Sequence, residues 1–148
     1  MSLLKKVGEE TFLQRAQEIA ASQPLFSWLG ARIVSVSQGG CEMELPLRKE
    51  FMNDRHTLQG TVLFALLDAA TYIASRTLVR SRGELDFHQE MKLNFIKAVR
   101  EVNQTIKARG RALHRGRSTS VVEGEVYDEI GDLVAKALGT IAILRPQS

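Results

Sequence analysis

Cysteine is almost absent from this chain. Its 148 residues hold one, Cys41. An intramolecular disulfide is therefore excluded, and the lone thiol suits a reducing compartment. Aromatic residues make up only 6%, the formal charge is only +3, and no long Lys/Arg run occurs. That combination lacks the signature of a nucleic-acid-binding protein. The mild basic balance, with a pI near 9.2, suits an anionic ligand instead. No apolar run is long enough to span a bilayer: the longest, Thr61 to Ala74, is interrupted by Asp68. The first residues, Met-Ser-Leu-Leu-Lys-Lys-Val-Gly-Glu-Glu, have no apolar centre of a secretion signal. These features predict a cytoplasmic protein without a nucleic-acid or membrane partner. Three scattered histidines and one cysteine do not form a metal-ligand set, so no metal is expected. A nucleophilic serine in a Gly-x-Ser-x-Gly setting is missing as well.

What is present is an ordinary globular balance, 44% hydrophobic and 25% charged, long enough for one core. Repeats, linkers and low-complexity segments are absent. Residues 9–22 place Phe12, Ala16, Ile19 and Ala20 at helical spacing. Gln23-Pro24 stops that helix, and Pro24 to Gly30 reads as a short apolar turn. The spacing predicts strands over 31–37 and 41–45, joined by a Gln38-Gly39-Gly40 turn. A long helix is expected from about Leu58 to Arg80. Four strands follow, over 91–96, 103–114, 120–127 and 133–144. Turn signals at hairpin spacing make the sheet antiparallel. Residues 1–24 form an N-terminal helical extension, and 25–148 form the main domain.

The stretch from Asn53 to Ala74 organises the rest. It begins polar, passes through Gly60 and becomes apolar on nearly every side, with Asp68 in its middle. A helix that is hydrophobic all round is normally buried, and a carboxylate there is costly unless it is paired or opens to a cleft. Asp68 is thus the leading candidate for chemistry. A structural reading pairs it with Thr71 or Ser75 on its own helix. An antiparallel sheet with one apolar helix has a ready solution, in which the sheet curls around the helix.

The pattern resembles the hotdog fold, and within it the acyl-CoA thioesterases of the PaaI-like group, related to 4-hydroxybenzoyl-CoA thioesterase. The resemblance covers about residues 25–144. That family has an Asn in the loop, a His-Gly-Gly motif opening the helix, and an acidic residue eight positions after the first Gly. Asn53, Gln59-Gly60-Thr61 and Asp68 occupy those places here. Leu93 to Ala98 resembles the family strand ending in Pro-Ala, Gly116-Arg117 its Gly-Arg turn, and Asp128 to Ala135 its Asp-x-x-Gly-x-x-Val-Ala hairpin. Gln59 replaces the family His and Thr61 the second Gly. The family's Ser or Thr on the next strand falls near His88. The resemblance implies an α+β fold with five to six antiparallel strands wrapped around a long central helix, plus the N-terminal helix.

It also implies hydrolysis of an acyl-CoA thioester. Coenzyme A would be part of the substrate, and no separate cofactor is expected. Gly60 lets a thioester carbonyl approach the unpaired N–H groups of a helix N-terminus, where the dipole favours negative charge. Asp68 would act as general base or nucleophile. Asn53, Gln59 and His88 would position water or the carbonyl. Arg115-Gly116-Arg117-Ser118 is the candidate grip on the coenzyme A phosphates. The acyl pocket is expected among Phe51, Met52, Leu63, Phe64, Leu67 and Tyr72. Eight helical residues rise about 12 Å, too far for Gly60 and Asp68 of one chain to share a carbonyl. A homodimer with antiparallel helices brings them together, either alone or as a dimer of dimers. Two alternatives use the same fold: a non-catalytic acyl-CoA or fatty-acid binder, and a hydratase or dehydratase. The latter chemistry relies on a His paired with an acid beside the helix.

Overall fold

A computed structural model describes residues 13–79 and 83–145. Residues 13–21 are helical (α1), and Pro24–Leu29 forms a second short helix (α2) closed by Gly30 in the left-handed region. Strands β1 (Arg32–Ser37) and β2 (Gly40–Pro46) make a hairpin. A single 3-10 turn, Lys49–Phe51, leads toward helix α3 (Gly60–Arg76). Four strands complete the chain: β3 (Leu85–Phe95), β4 (Thr105–Arg115), β5 (Thr119–Tyr127) and β6 (Leu133–Leu144). Among the described residues, no helix is long and apolar enough to cross a membrane.

The six strands form one antiparallel sheet in the order β1-β2-β4-β5-β6-β3. Helix α3 carries the chain from β2 to the far edge, where β3 pairs only with β6. The helix lies on the inner face of the sheet and buries Leu63, Leu66, Leu67, Ala70 and Ala74 against Met43, Ile106, Val126 and their neighbours. Gly110 allows this close approach. A Cβ there would fall 2.2 Å from the Ala70 carbonyl oxygen, so only glycine admits the helix backbone.

The expected fold class holds, with six strands. Several boundaries differ. Helix α3 starts at Gly60, because Leu58 is held in an isolated bridge with Met52. It ends at Arg76, where the Thr77 hydroxyl turns back to the Ala74 carbonyl. Arg80 and residues 9–12 of the expected N-terminal helix lie outside the described residues. Strand β3 begins at Leu85, six residues before the expected start. A register shift between His88 and Glu90 inserts Gln89 as a bulge and breaks the alternation there. Before the bulge, the inner face carries Asp86 and His88; after it, Met91 and Leu93 turn inward. A polar inner face and apolar Leu85 and Phe87 outside invert the usual strand pattern.

Candidate active site

Asp68 sits midway along α3, on the side that meets α1, α2 and the β3 edge of the sheet. Its side chain is 51% accessible. The apparent conflict in the sequence is resolved: the helix is not buried all round, and the carboxylate lies on its outer stripe with exposed Thr61 and Phe64 and half-buried Ala65, Ala69 and Tyr72. Its Oδ1 lies 2.9 Å from Nδ1 of His88, whose side chain is only 16% accessible. The other ring nitrogen, Nε2, is 3.1 Å from the Thr71 hydroxyl. The structure therefore brings Asp68 and His88 together and gives Asp68 a partner from β3. Neither helical partner considered from sequence holds the carboxylate. The Thr71 hydroxyl faces the Leu67 carbonyl at 2.8 Å and His88. Ser75 turns to Asp86 and Arg115.

A cavity of about 290 Å³ opens beside this pair, walled by Ile19, Ala20, Phe26, Tyr72 and Phe87. A second groove lies between α2 and α3, with Leu25, Leu29, Thr61 and Phe64 along it. Asp68, Ala69 and Phe26 border both, so Asp68 stands on the ridge between them. Phe64 and Tyr72 thus line open space. Leu67, expected to bind substrate, does not: it is fully buried and packs toward Gly124 on the sheet side. Phe51 and Leu63 are core residues for the same reason. Helical periodicity tells which residues are apolar, but not which apolar stripe faces the sheet. The walls from α1 and α2 went unread, since nothing local marks where those short helices dock.

The start of α3 has no side-chain cap. Among the described residues, the N–H groups of Gly60 and Thr61 find no acceptor. Unpaired donors at a helix N-terminus suit developing negative charge. Gln59 is the N-cap residue, and among the described residues its amide reaches the Met52 carbonyl alone, at 3.5 Å. Gly60 also packs under Phe95, since a Cβ would meet two ring carbons at 2.8 and 2.9 Å. The glycine therefore serves packing as well as access. Asn53 is committed to its own loop: its Oδ1 accepts from the Arg55 and Thr57 N–H groups, and its Nδ2 donates to the Thr57 hydroxyl. That is the turn reading of Asn53, and it leaves little of the amide for a substrate.

The basic turn divides. Arg117 and Ser118 are exposed, and Gly116 donates its N–H to the Thr119 carbonyl to close the hairpin. Arg115 points the other way. Its side chain is 3% accessible, with Nη1 2.8 Å from Asp86, Nη2 2.9 Å from Glu84, and Nη1 2.9 Å from the Ser75 hydroxyl. Burial opposes its charge, but Asp86 and Glu84 outweigh that and hold the guanidinium firmly protonated. Arg115 is a structural residue, buried and bound to two carboxylates, and is not placed to grip the coenzyme A phosphates as expected. Unbroken alternation from Ile106 would turn Arg115 outward with Arg109 and Arg111; a register shift at Leu113 reverses the phase of β4 and turns it inward, which no local sequence signal marks. The one thiol is buried, and burial, reinforced by Glu42, pushes Cys41 up to about 12, which disfavours the reactive thiolate.

An antiparallel sheet closed on one central helix, with an acidic residue at mid-helix, defines a hotdog protein. The Thioesterase superfamily profile matches residues 56–135, which include the start of α3, Asp68 and His88. The chain belongs to the Thioesterase superfamily. It is 30% identical to a protein of Saccharolobus solfataricus named "Putative esterase SSO2140", over 82% of this chain and 84% of that one. Among solved structures it is similar to PaaI of Escherichia coli, from the phenylacetic acid degradation operon, with a TM-score of 0.83 and 20% identity over 92% and 95% of the two chains. The phenylacetic acid degradation protein PaaI of Thermus thermophilus, solved as a mutant, matches at 25% identity with a TM-score of 0.74, covering 82% of this chain and all of that one. The likeness is to the PaaI-like group.

Proposed function

We propose that this protein hydrolyses an acyl-CoA thioester to the free acid and coenzyme A, at sites shared across a homodimer. The observation that carries the reading is the half-exposed Asp68, hydrogen-bonded to His88 at 2.9 Å on the wall of an apolar cavity. Asp68 takes a proton from water, and the hydroxide attacks the thioester carbonyl carbon. The oxygen that gains charge lies against the open N–H groups at the start of a partner's α3, an effect worth roughly 3 kcal/mol in such sites. The carbon–sulfur bond then breaks, and the Asp68–His88 pair returns the proton to the departing thiolate.

Sharing follows from distance, since Gly60 and Asp68 of one helix are separated by about 12 Å along the axis. The free edge of β3 supports the dimer. It is eleven residues long, with Leu85, Phe87 and Phe95 more than half exposed. Such an edge is a template for pairing with another strand. Antiparallel pairing there would bring the Phe95 end of one chain, and hence its Gly60, toward the His88 end of the other. Arg117, exposed at the far end of the sheet from Gly60, is the remaining candidate for coenzyme A phosphate.

Purified protein is assayed for free thiol release from a panel of aromatic and aliphatic acyl-CoAs, beside Asp68→Asn. Turnover by the wild type and its loss in the variant are expected. Equal rates would remove Asp68 from the mechanism, and no turnover on any acyl chain would sink hydrolysis itself. Sedimentation of the same sample is expected to give at least a dimer; a monomer with full activity would refute the shared site.

The His–acid pair also favours a second reading, reversible hydration of an enoyl-CoA. That chemistry needs one group to take a proton from water and another to give one to carbon. Loss of the enoyl absorbance without thiol release would support it over hydrolysis.

A further inference from the structure

Thr71 is the one member of this cluster that the proposal above leaves unused. Its hydroxyl has three neighbours: the Leu67 carbonyl oxygen at 2.8 Å, the Asp68 carbonyl oxygen at 3.3 Å and His88 Nε2 at 3.1 Å. A hydroxyl has a single hydrogen to donate. Thr71 is fully buried, so no solvent offers another partner.

Two proton arrangements compete. In the first, Thr71 donates to the Leu67 carbonyl, and its oxygen accepts from an N–H at His88 Nε2. In a neutral ring Nδ1 then carries a lone pair, facing Asp68 Oδ1 at 2.9 Å. Two acceptors at that distance repel, so a proton must lie between them. Every short contact is then a hydrogen bond. In the second arrangement, Thr71 donates to Nε2, and Nδ1–H donates to Asp68. That leaves the Thr71 and Leu67 oxygens 2.8 Å apart with no hydrogen between them. A contact of that length is typical of an O–H···O bond and unfavourable without one. The first arrangement satisfies the geometry and the second does not.

We infer that Thr71 is a positioning residue that sets the proton inventory of the site: it keeps Nε2 of His88 protonated, so that Asp68 and His88 Nδ1 hold one proton in common. Among the described residues, the other ionisable groups on the same wall are Tyr72 and Asp86. Asp86 is committed to Arg115, and the Tyr72 ring stands 6.5 Å from that of His88; among the described residues, α1, α2 and the link between them contribute Ile19, Ala20, Gln23 and Phe26 to this wall. The functional half of this inference rests on the hydrolysis proposed above. The proton taken from water enters a pair that already holds one, and one leaves with the thiolate, so the pair returns to its starting state each cycle.

The test is the ring nitrogen state of His88, read by 15N NMR on the full-length protein near neutral pH and assigned with His88→Gln. Wild type is expected to show a protonated Nε2. Thr71→Ser keeps the hydroxyl and should keep that state. Thr71→Val removes the acceptor and should move the ring to the Nδ1–H form. In turnover, kcat of Thr71→Val should fall by about tenfold or more with little change in KM, and Thr71→Ser should restore it. A bare Nε2 in wild type overturns the inference, as does an unchanged ring in Thr71→Val. If Thr71→Val fails to fold, the wild-type and Thr71→Ser spectra still decide. A protein with the expected ring state but no thioester turnover refutes the hydrolysis proposal and leaves this assignment standing.

Discussion

Helix α3 and strand β3 are joined by two carboxylate clusters, one helical turn and two strand residues apart. The outer cluster is Asp68, His88 and Thr71. The inner one is Asp86, Glu84, Ser75 and Arg115, joined by Arg76 and Arg145. Among the described residues, Asp68 has one ionisable partner and is half open to solvent, whereas Asp86 is sealed, with no accessible side-chain surface and two arginines within reach. The same two elements therefore build a site that can exchange a proton and a clamp that cannot. A buried charge is tolerated only when its partners are complete. An exposed one need not be satisfied, and a carboxylate left partly free is the one available to water.

The largest separation of the two clusters is expected from paired substitutions. Asp68→Asn should lower kcat for thioester hydrolysis by about 10²–10⁴-fold, with a melting temperature close to wild type, since a half-exposed carboxylate whose amide replacement can still meet His88 contributes about 1 kcal/mol. Arg115→Ala should do the reverse. It removes the buried cation between Glu84 and Asp86, leaving the more exposed Arg145 and Arg76 to face them, and should cost about 3–5 kcal/mol in a urea titration. If Arg115→Ala unfolds no more easily than wild type, the clamp reading is wrong.

A smaller effect is expected at Gly60. An added Cβ presses on the Phe95 ring, which is 60% exposed and free to shift. Gly60→Ala should change stability by less than about 1 kcal/mol, because helix propensity gained offsets packing lost. It should lower kcat/KM by about tenfold by crowding the approach to the helix N-terminus. A variant with full activity would move the oxyanion site elsewhere.

The smallest effect belongs to a third carboxylate, Asp128, in the β5–β6 turn. Burial pushes its carboxyl up, but Lys97 and the Asp132 N–H outweigh burial and hold it below its ordinary value. Because its folded value lies below its unfolded one, its stabilisation is present above the ordinary carboxylate range and fades as pH falls through the folded value. Stability measured from neutral pH down to about pH 3 should therefore decline less steeply in Asp128→Asn than in wild type. Equal slopes would show that Lys97 contributes nothing there.

Much of the fold was legible. The alternations over 31–37, 41–45, 120–127 and 133–144 each fell on a strand, and the apolar run after Gly60 fell on the central helix. Asp68 stood out as a carboxylate among apolar residues. Two things misled. The outward apolar residues of early β3 hid its first half, because Gln89 shifts the phase of the strand. Arg115 looks from sequence like part of one basic turn with Arg117, because the bulge at Leu113 that reverses the phase of β4 and turns Arg115 inward leaves no mark in the local pattern.

The sequence by itself determined the elements, their order and the glycines that let helix and sheet approach, because periodicity and turn chemistry act within a few residues. It also marked Asp68 as a residue in conflict with its surroundings. Only the tertiary structure decided what resolves that conflict. His88 reaches Asp68 across about twenty residues of chain because α3 delivers β3 to the edge beside β6, and because the bulge sets which side chains of β3 face the helix. Arg115 closes on Asp86 and Glu84 for the same reason. Such pairings depend on register and burial summed over the whole sheet, which no local window of sequence contains.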